Sequence, residues 1–294
     1  MNRARRDICA GLLLAASLAG AAGCGLTRGI AVRSFTPVLD ASIEAAYADR
    51  DLATVEAAIP SNLLLLRGLV ESDPGNDHVR ALTVQTYFSY AMGFVEDADP
   101  ARADLLYQEG LRIGLEGLSR RGWFREAEKV NPLPPAEQLR RADEDDVPLL
   151  CWTLASWTSW ISLHLDRPEA VAQLPRVEAY LGRLLEIAPG YFHGMPHVLA
   201  GAIQTFRPKM LGGDPESGRA HFEEAGRLSQ GRILLFRVLY ARYYCRQTLD
   251  EACFDETLRA VLEAPENLSP ENRLLNEVAR RKALSLQARR DEFF

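Results

Sequence analysis

Residues 66–112 read LRGLVESDPGNDHVRALTVQTYFSYAMGFVEDADPARADLLYQEGLR, and residues 181–227 read LGRLLEIAPGYFHGMPHVLAGAIQTFRPKMLGGDPESGRAHFEEAGR. Set against each other without a gap, at an offset of 115, the two stretches place Pro74 on Pro189, Gly75 on Gly190, Asp99 on Asp214 and Pro100 on Pro215. Leu66, Leu69 and Glu71 fall on Leu181, Leu184 and Glu186, Tyr107 falls on Phe222, and Glu109 and Arg112 fall on Glu224 and Arg227. The same offset carries Asp51 to Asp166, Ala57 to Ala172 and Pro60 to Pro175. Turn prolines held in fixed register predict an internal duplication of a multi-helix unit. Asp before Pro is a helix start: the carboxylate caps free amides, and Pro occupies the first helical position at no hydrogen-bond cost.

Working outward, the chain reads as all-α. Leu105, Leu106, Leu111, Ile113 and Leu118 recur at helical spacing, as do Leu181, Leu184, Leu185 and Ile187. Alternating β-branched runs bounded by turns do not occur. Each half predicts helix, Pro-Gly turn, helix, Asp-Pro turn, helix. That is the pattern of a tetratricopeptide-like helical-hairpin solenoid, whose units bury their apolar faces only by stacking. The halves are expected over about 38–118 and 149–265 of a repeat domain spanning 38–290. Residues 119–148 interrupt the pattern with Asn131-Pro132-Leu133-Pro134-Pro135 and the acidic run Asp143–Asp146. They read as a loop or lid with a short helix around Ala136–Ala142. A last helix is expected over 270–289, capped by Ser269-Pro270.

The N-terminus sets an expected compartment. Met1–Arg6 is basic, Ile8–Ala22 is apolar, and Ala21-Ala22-Gly23-Cys24 closes the segment. This resembles a bacterial lipoprotein signal peptide with its lipobox. Residues 1–23 would be removed, Cys24 would carry the acyl chains, and 24–37 would form a tether. Ala21 stands where Leu is usual, and the alternative is an ordinary signal peptide with an incidental Cys24. The apolar stretch falls short of the ~20 residues a spanning helix needs. Gly25, rather than Asp, follows the cysteine. The expectation is a periplasmic protein, lipid-anchored to the outer membrane.

Removing residues 1–23, with their three Arg and one Asp, leaves 271 of 294 residues and takes the formal charge from −6 to −8. An acidic chain with three lysines (Lys129, Lys209 and Lys282) is a poor ligand for nucleic acid, whose phosphates select basic surfaces. Cys151, Cys245 and Cys253 remain beyond Cys24. Cys245 and Cys253, eight apart, could bridge neighbouring helices. The favoured reading is that all three are small buried apolar residues.

Several segments together resemble the T component of TRAP transporters. They are Pro60–Leu65, Tyr87–Asp97, Asp99-Pro100 with Arg102, Ala103 and Tyr107, Ala155–Ile161, Ala172–Val177, Leu211–Glu216 and Arg219–Phe222. The resemblance runs from about residue 38 to about 265. It implies degenerate tetratricopeptide repeats in a periplasmic lipoprotein. It also implies a partner, the solute-binding protein of a TRAP system, and a small, hydrophobic ligand passed through the solenoid. It implies no enzyme activity.

Trp152, Trp157 and Trp160 share one predicted helix, and Trp157 and Trp160, at i,i+3, share a face. An aromatic ligand wall of Trp157, Trp160, Tyr191 and Phe192 is the candidate site; the competing reading is solenoid core. His193 and His197 have i,i+4 spacing, but Gly194 and Pro196 interrupt the helix and no further ligand follows, so no metal or other cofactor is expected. His164 sits near a helix end, where positive charge is favourable. His78 and His221 read as surface or repeat-interface residues. No Gly-x-Ser-x-Gly elbow, phosphate loop or His-Glu-x-x-His occurs. Gly212-Gly213-Asp214 reads as a turn, and Asp143–Asp146 lacks the spacing of a calcium loop.

Two functions follow. One is an accessory protein that docks a TRAP solute-binding protein and binds or relays ligand. The other is an outer-membrane lipoprotein scaffold for envelope or secretion complexes. A homo-oligomer is compatible with either.

Overall fold

A computed structural model describes residues 28–130 and 133–294. The expected signal peptide and Cys24 lie outside these residues. Residues 28–48 form a helix, α1, so the stretch expected as tether is helical from residue 28 onward. No strand occurs among the described residues.

Of the Asp-Pro starts read from the sequence, Asp99 and Asp214 cap helices, whereas Asp73 ends the helix Leu52–Ser72 instead of starting one, and Ser269 precedes a short 3-10 turn without capping it through its side chain. Asp51 caps α2 (Leu52–Ser72) by accepting from the amides of Ala53 and Thr54. Asn76, in the Pro-Gly turn, caps α3 (Asp77–Tyr90) through the Val79 amide. Asp99 caps α4 (Pro100–Leu118) through the Arg102 amide, and Asp214 caps α11 (Pro215–Leu228) through those of Glu216 and Ser217. Between α4 and α11 come α5 (Gly122–Glu128), α6 (Ala136–Leu139), α7 (Val147–Ser162), α8 (Pro168–Val171), α9 (Leu174–Ile187) and α10 (Met195–Phe206). After α11 follow α12 (Leu234–Tyr240), α13 (Glu251–Leu262) and α14 (Arg273–Ala288).

Ser72 and Ile187 end α2 and α9, and Pro100 and Pro215 begin α4 and α11. Both pairs stand 115 positions apart, the offset of the sequence match. Two differences have local causes. Pro60 lies inside an unbroken α2, whereas the helix breaks before Pro175 to give α8 and α9. Phe192, His193 and Gly194 all take positive φ (43°, 62° and 100°), so α10 starts three residues later than α3 does at that offset.

α7 organises the core. It is buried over most of its length and packs on α3, α4, α9 and α10. α4 approaches α7 through glycines: a methyl at Gly114 would lie 2.2 Å from Thr153 Oγ1, and one at Gly110 2.9 Å from Ser156 Oγ. α10 and α11 touch in the same way at Gly201 and Gly218.

The stretch expected as a loop or lid is strapped to α9. Trp123 and Phe124 of α5 are buried, and Phe124 stacks on Tyr180 at 5.2 Å. Asp146, 4% exposed, accepts from Trp123 Nε1 at 2.8 Å and pairs with Arg121. The last residue of the acidic run is therefore an internal brace, not part of a solvated face. The reading of three free cysteines is also corrected. Cys245 and Cys253 form a disulfide with Cα atoms 5.5 Å apart, and Cys151 is free and buried. Leu249 takes φ 55° and the Asp250 amide returns to the Cys245 carbonyl, which folds the chain back on itself.

Candidate functional site

Two π-helical turns face the interior, Ala91–Val95 at the end of α3 and Ala241–Cys245 at the end of α12. A π turn widens the helix and re-aims the side chains around it, and such turns concentrate at functional sites. Here they aim charge inward. Glu96, immediately after the first turn, pairs with Arg242 of the second and accepts from the Tyr107 hydroxyl. Asp97 meets Arg242 Nη1 at 3.4 Å and Lys282 Nζ of α14 at 2.6 Å. Glu96 and Lys282 are 5% and 3% exposed.

The environment sets the protonation of this cluster. Burial and the neighbouring Glu96 carboxylate push the Tyr107 hydroxyl well above the usual phenol range. Burial pulls the Lys282 ammonium below the usual lysine value, against the opposing pull of Glu96 and Asp97. Burial, the largest single influence, would raise the Asp97 carboxyl, but Lys282 together with Arg242 and Arg289 holds it low. Two carboxylates and two cations balance, as charges in a low-dielectric interior must.

Glu96 and Arg242 of this cluster line one side of a small cavity whose apolar wall includes Phe88, Met92, Met195, Leu199 and Leu239. The cavity measures about 30 Å³. That is room for a water or two, against ~300–1,000 Å³ for a small-molecule site. A larger pocket of about 350 Å³ opens between α11 and α12, walled by Phe222, Ile233, Phe236 and Tyr240, with Glu223 and Arg237 as its charged groups. Phe222 and Tyr240 meet edge to face at 5.8 Å.

The four aromatics expected to form one wall are divided. Trp157 is buried and donates from Nε1 to Gln173 Oε1 at 2.6 Å. Trp160 packs edge-on to His164 at 5.3 Å. Neither lines the small cavity, although Thr158 and Ser159 between them do. Tyr191 and Phe192 gather instead around Trp152, the Phe192 ring standing 4.7 Å from it and 6.0 Å from Tyr47.

His193 and His197 do not converge. His197 Nδ1 meets His221 Nδ1 across the α10–α11 contact at 2.9 Å, and burial lowers both pKa values. His164 pairs with Asp104 at 2.8 Å, and the exposed His78 pairs with Asp40. Among the described residues no group of three or more His, Cys, Asp or Glu is placed to hold a metal.

The family model described as TRAP transporter T-component matches residues 48–294, from the end of α1 to the last residue. The chain belongs to the TRAP transporter T-component family. A protein of Treponema pallidum (strain Nichols), itself uncharacterised, is 26% identical over 307 aligned positions, covering 93% of this chain and 94% of the relative. Both π turns, the buried charge cluster and the α11–α12 pocket of this T component lie inside the matched span. Membership makes the chain an accessory component of TRAP transport, associated with a TRAP transporter, and the family is not a known enzyme family.

Sequence reasoning missed Glu96, Arg242 and Lys282. The signal was an acidic pair, Glu96-Asp97, placed inside an aromatic-rich helix end (Tyr87–Asp97), where solvent-facing charge is unexpected. It also missed the α11–α12 pocket, whose signal was Phe222, Phe236 and Tyr240 flanking Gly226 and Gly231.

Proposed function

We propose that this T component is a lipid-anchored periplasmic protein that docks the solute-binding protein of a TRAP transporter and binds or relays a small, hydrophobic ligand. The observation that carries the reading is the family match over residues 48–294. The basic, apolar and Ala21–Cys24 segments support lipid attachment at Cys24. The shared 115-residue offset of sequence and helix ends supports a duplicated, tetratricopeptide-like hairpin unit stacked as a solenoid. The 350 Å³ apolar pocket is the right size for a small ligand, with Arg237 suited to an anionic end. The small cavity beside Arg242 would have to widen to admit one.

The test is affinity capture of the tagged protein from crosslinked native cells, with partners identified by mass spectrometry. Enrichment of a periplasmic solute-binding protein is expected. Capture of envelope-assembly or secretion proteins without one overturns the reading in favour of a scaffold.

A further inference from the structure

The hairpin of α1 and α2 shows water a surface that the fold does not explain. Thirteen large apolar side chains are exposed among the described residues, and five sit here: Ile30 (58%), Phe35 (39%), Val38 (55%), Leu64 (70%) and Leu65 (46%). The other eight are scattered along the chain. α1 separates its surfaces by helical spacing. Arg33, Asp40 and Glu44 fall on one side, where Arg33 reaches Asp73 at 3.2 Å and Asp40 reaches His78 at 2.8 Å. Val32 and Leu39 point into the fold against Leu66, Val70 and Val79. The remaining side carries Ile30, Phe35 and Val38, with exposed Ala31 and Ser34 on the same side and Arg28, seven residues before Phe35, at its edge in the first turn.

α2 repeats the pattern. From Leu52 to Leu66 its one charge is Glu56, which is turned to Arg281 at 3.0 Å. Among the described residues it is the one helix long and apolar enough to cross a membrane by length and composition, yet most of its length is not buried. Val55, Leu63, Leu66 and Val70 are its buried residues and share one side of the helix, so α2 packs on the protein along that edge, and exposed Glu71, seven residues after Leu64, ends the apolar stretch of the other side.

We propose that the outer face of this hairpin lies on the bilayer that holds the Cys24 lipid, an inference that rests on the lipid-anchor reading above. Chain length decides the occupant. Three residues separate Cys24 from residue 28, the first described residue of α1, and the four steps of chain span at most about 14 Å. Acyl chains buried at Cys24 therefore hold the N-terminal end of α1, from which Ile30, Phe35 and Val38 follow within the next three turns, within a headgroup layer's thickness of the hydrocarbon. Beyond Arg28 at its first turn, this is the one side of α1 that is neither charged nor packed into the protein. The face has no cluster of basic residues, and the chain is acidic. Contact is therefore made by apolar insertion, not by attraction to anionic lipid.

The test uses the full acylated protein in phosphatidylethanolamine–phosphatidylglycerol vesicles. Cys151 is buried, Cys245 and Cys253 are bonded, and Cys24 is acylated, so a maleimide–nitrobenzoxadiazole probe labels an introduced cysteine selectively. Val38→Cys and Leu64→Cys place it on the face, and Met210→Cys, at a 90% exposed position, is the control. Expected are a blue shift and at least a twofold loss of emission with doxyl-labelled lipids at positions 38 and 64, none at 210, unchanged by raising salt. Water-like emission at 38 and 64 in protein shown by mass to be acylated overturns the proposal and leaves the anchor standing. A mass without acyl chains overturns both. Unquenched probes together with a Leu64→Cys disulfide-linked dimer give the face to a second copy and overturn it as well.

Discussion

Adding one methyl at Gly114 tests the close approach of α4 to α7. An ideal Cβ there sits 2.2 Å from Thr153 Oγ1 and 2.9 Å from Thr153 Cβ and Cγ2, where ordinary contact begins at 3.4 Å. Thr153 cannot yield cheaply. It is 1% exposed, β-branched and donates from Oγ1 to the Leu149 carbonyl at 2.6 Å. The helices must separate by about an ångström, and overpacking of this kind costs ~1–3 kcal/mol. Ala for Gly in a helix interior returns ~1 kcal/mol. A contact this short on the central helix takes the upper end, so Gly114→Ala should lose about 2 kcal/mol net. For a chain of this size that lowers Tm by about 4–8 °C. Gly182, also within a helix, has nothing within 4 Å of its Cβ position. Gly182→Ala should gain ~0.5–1 kcal/mol from propensity alone. Thermal and urea unfolding followed by circular dichroism measure both. Thr153→Ala placed on top of Gly114→Ala should recover part of the loss through a favourable coupling. A Gly114→Ala variant as stable as the parent would refute the α4–α7 packing described here.

Three further outcomes are expected. Lys282→Met strands Asp97 beside Arg242 and should cost about 2–3 kcal/mol, under the fully buried range because Asp97 keeps a third of its side chain in water; urea unfolding of the single variant against Lys282→Met with Asp97→Leu should show the double variant more stable. His197 and His221 have lowered pKa values, so the unfolded chain takes up protons first as pH falls below 6.5; Tm should decline through that window and decline less in His197→Gln with His221→Gln, and parallel profiles would count against the pair. Thiol titration of residues 28–294, denatured without reductant, should find one thiol, from Cys151, and three after reduction, with stability falling by about 2 kcal/mol on loss of this short loop's disulfide.

What was legible in the sequence was what local backbone chemistry dictates. Asp99 and Asp214 cap helices because a carboxylate before Pro at a helix start accepts free amides; Asp73, read the same way, ends α2 instead. The Pro-Gly turns fix where α2 and α9 end. The sequence put Trp152, Trp157 and Trp160 on one helix but did not show what each ring would meet. Trp157 turned to Gln173, and Tyr191 and Phe192 gathered on Trp152 because a run of left-handed residues swings them there. Pro60 and Pro175 look alike in sequence, yet one helix runs on and the other breaks. The Glu96–Arg242 pair joins residues far apart in the chain through two π turns, and neither the turns nor the pairing has a pattern in a single sequence. The disulfide was undecidable by spacing, since the eight-residue separation closes only because Leu249 reverses the chain.

The central claim is that this chain serves a TRAP transporter. Its most direct test is uptake of the radiolabelled solute carried by the captured solute-binding protein, measured in native cells lacking the chain and in cells with it restored. The account predicts that uptake falls on deletion and returns with the wild-type protein. Uptake unchanged by deletion, with the solute-binding protein at its normal level, would contradict it.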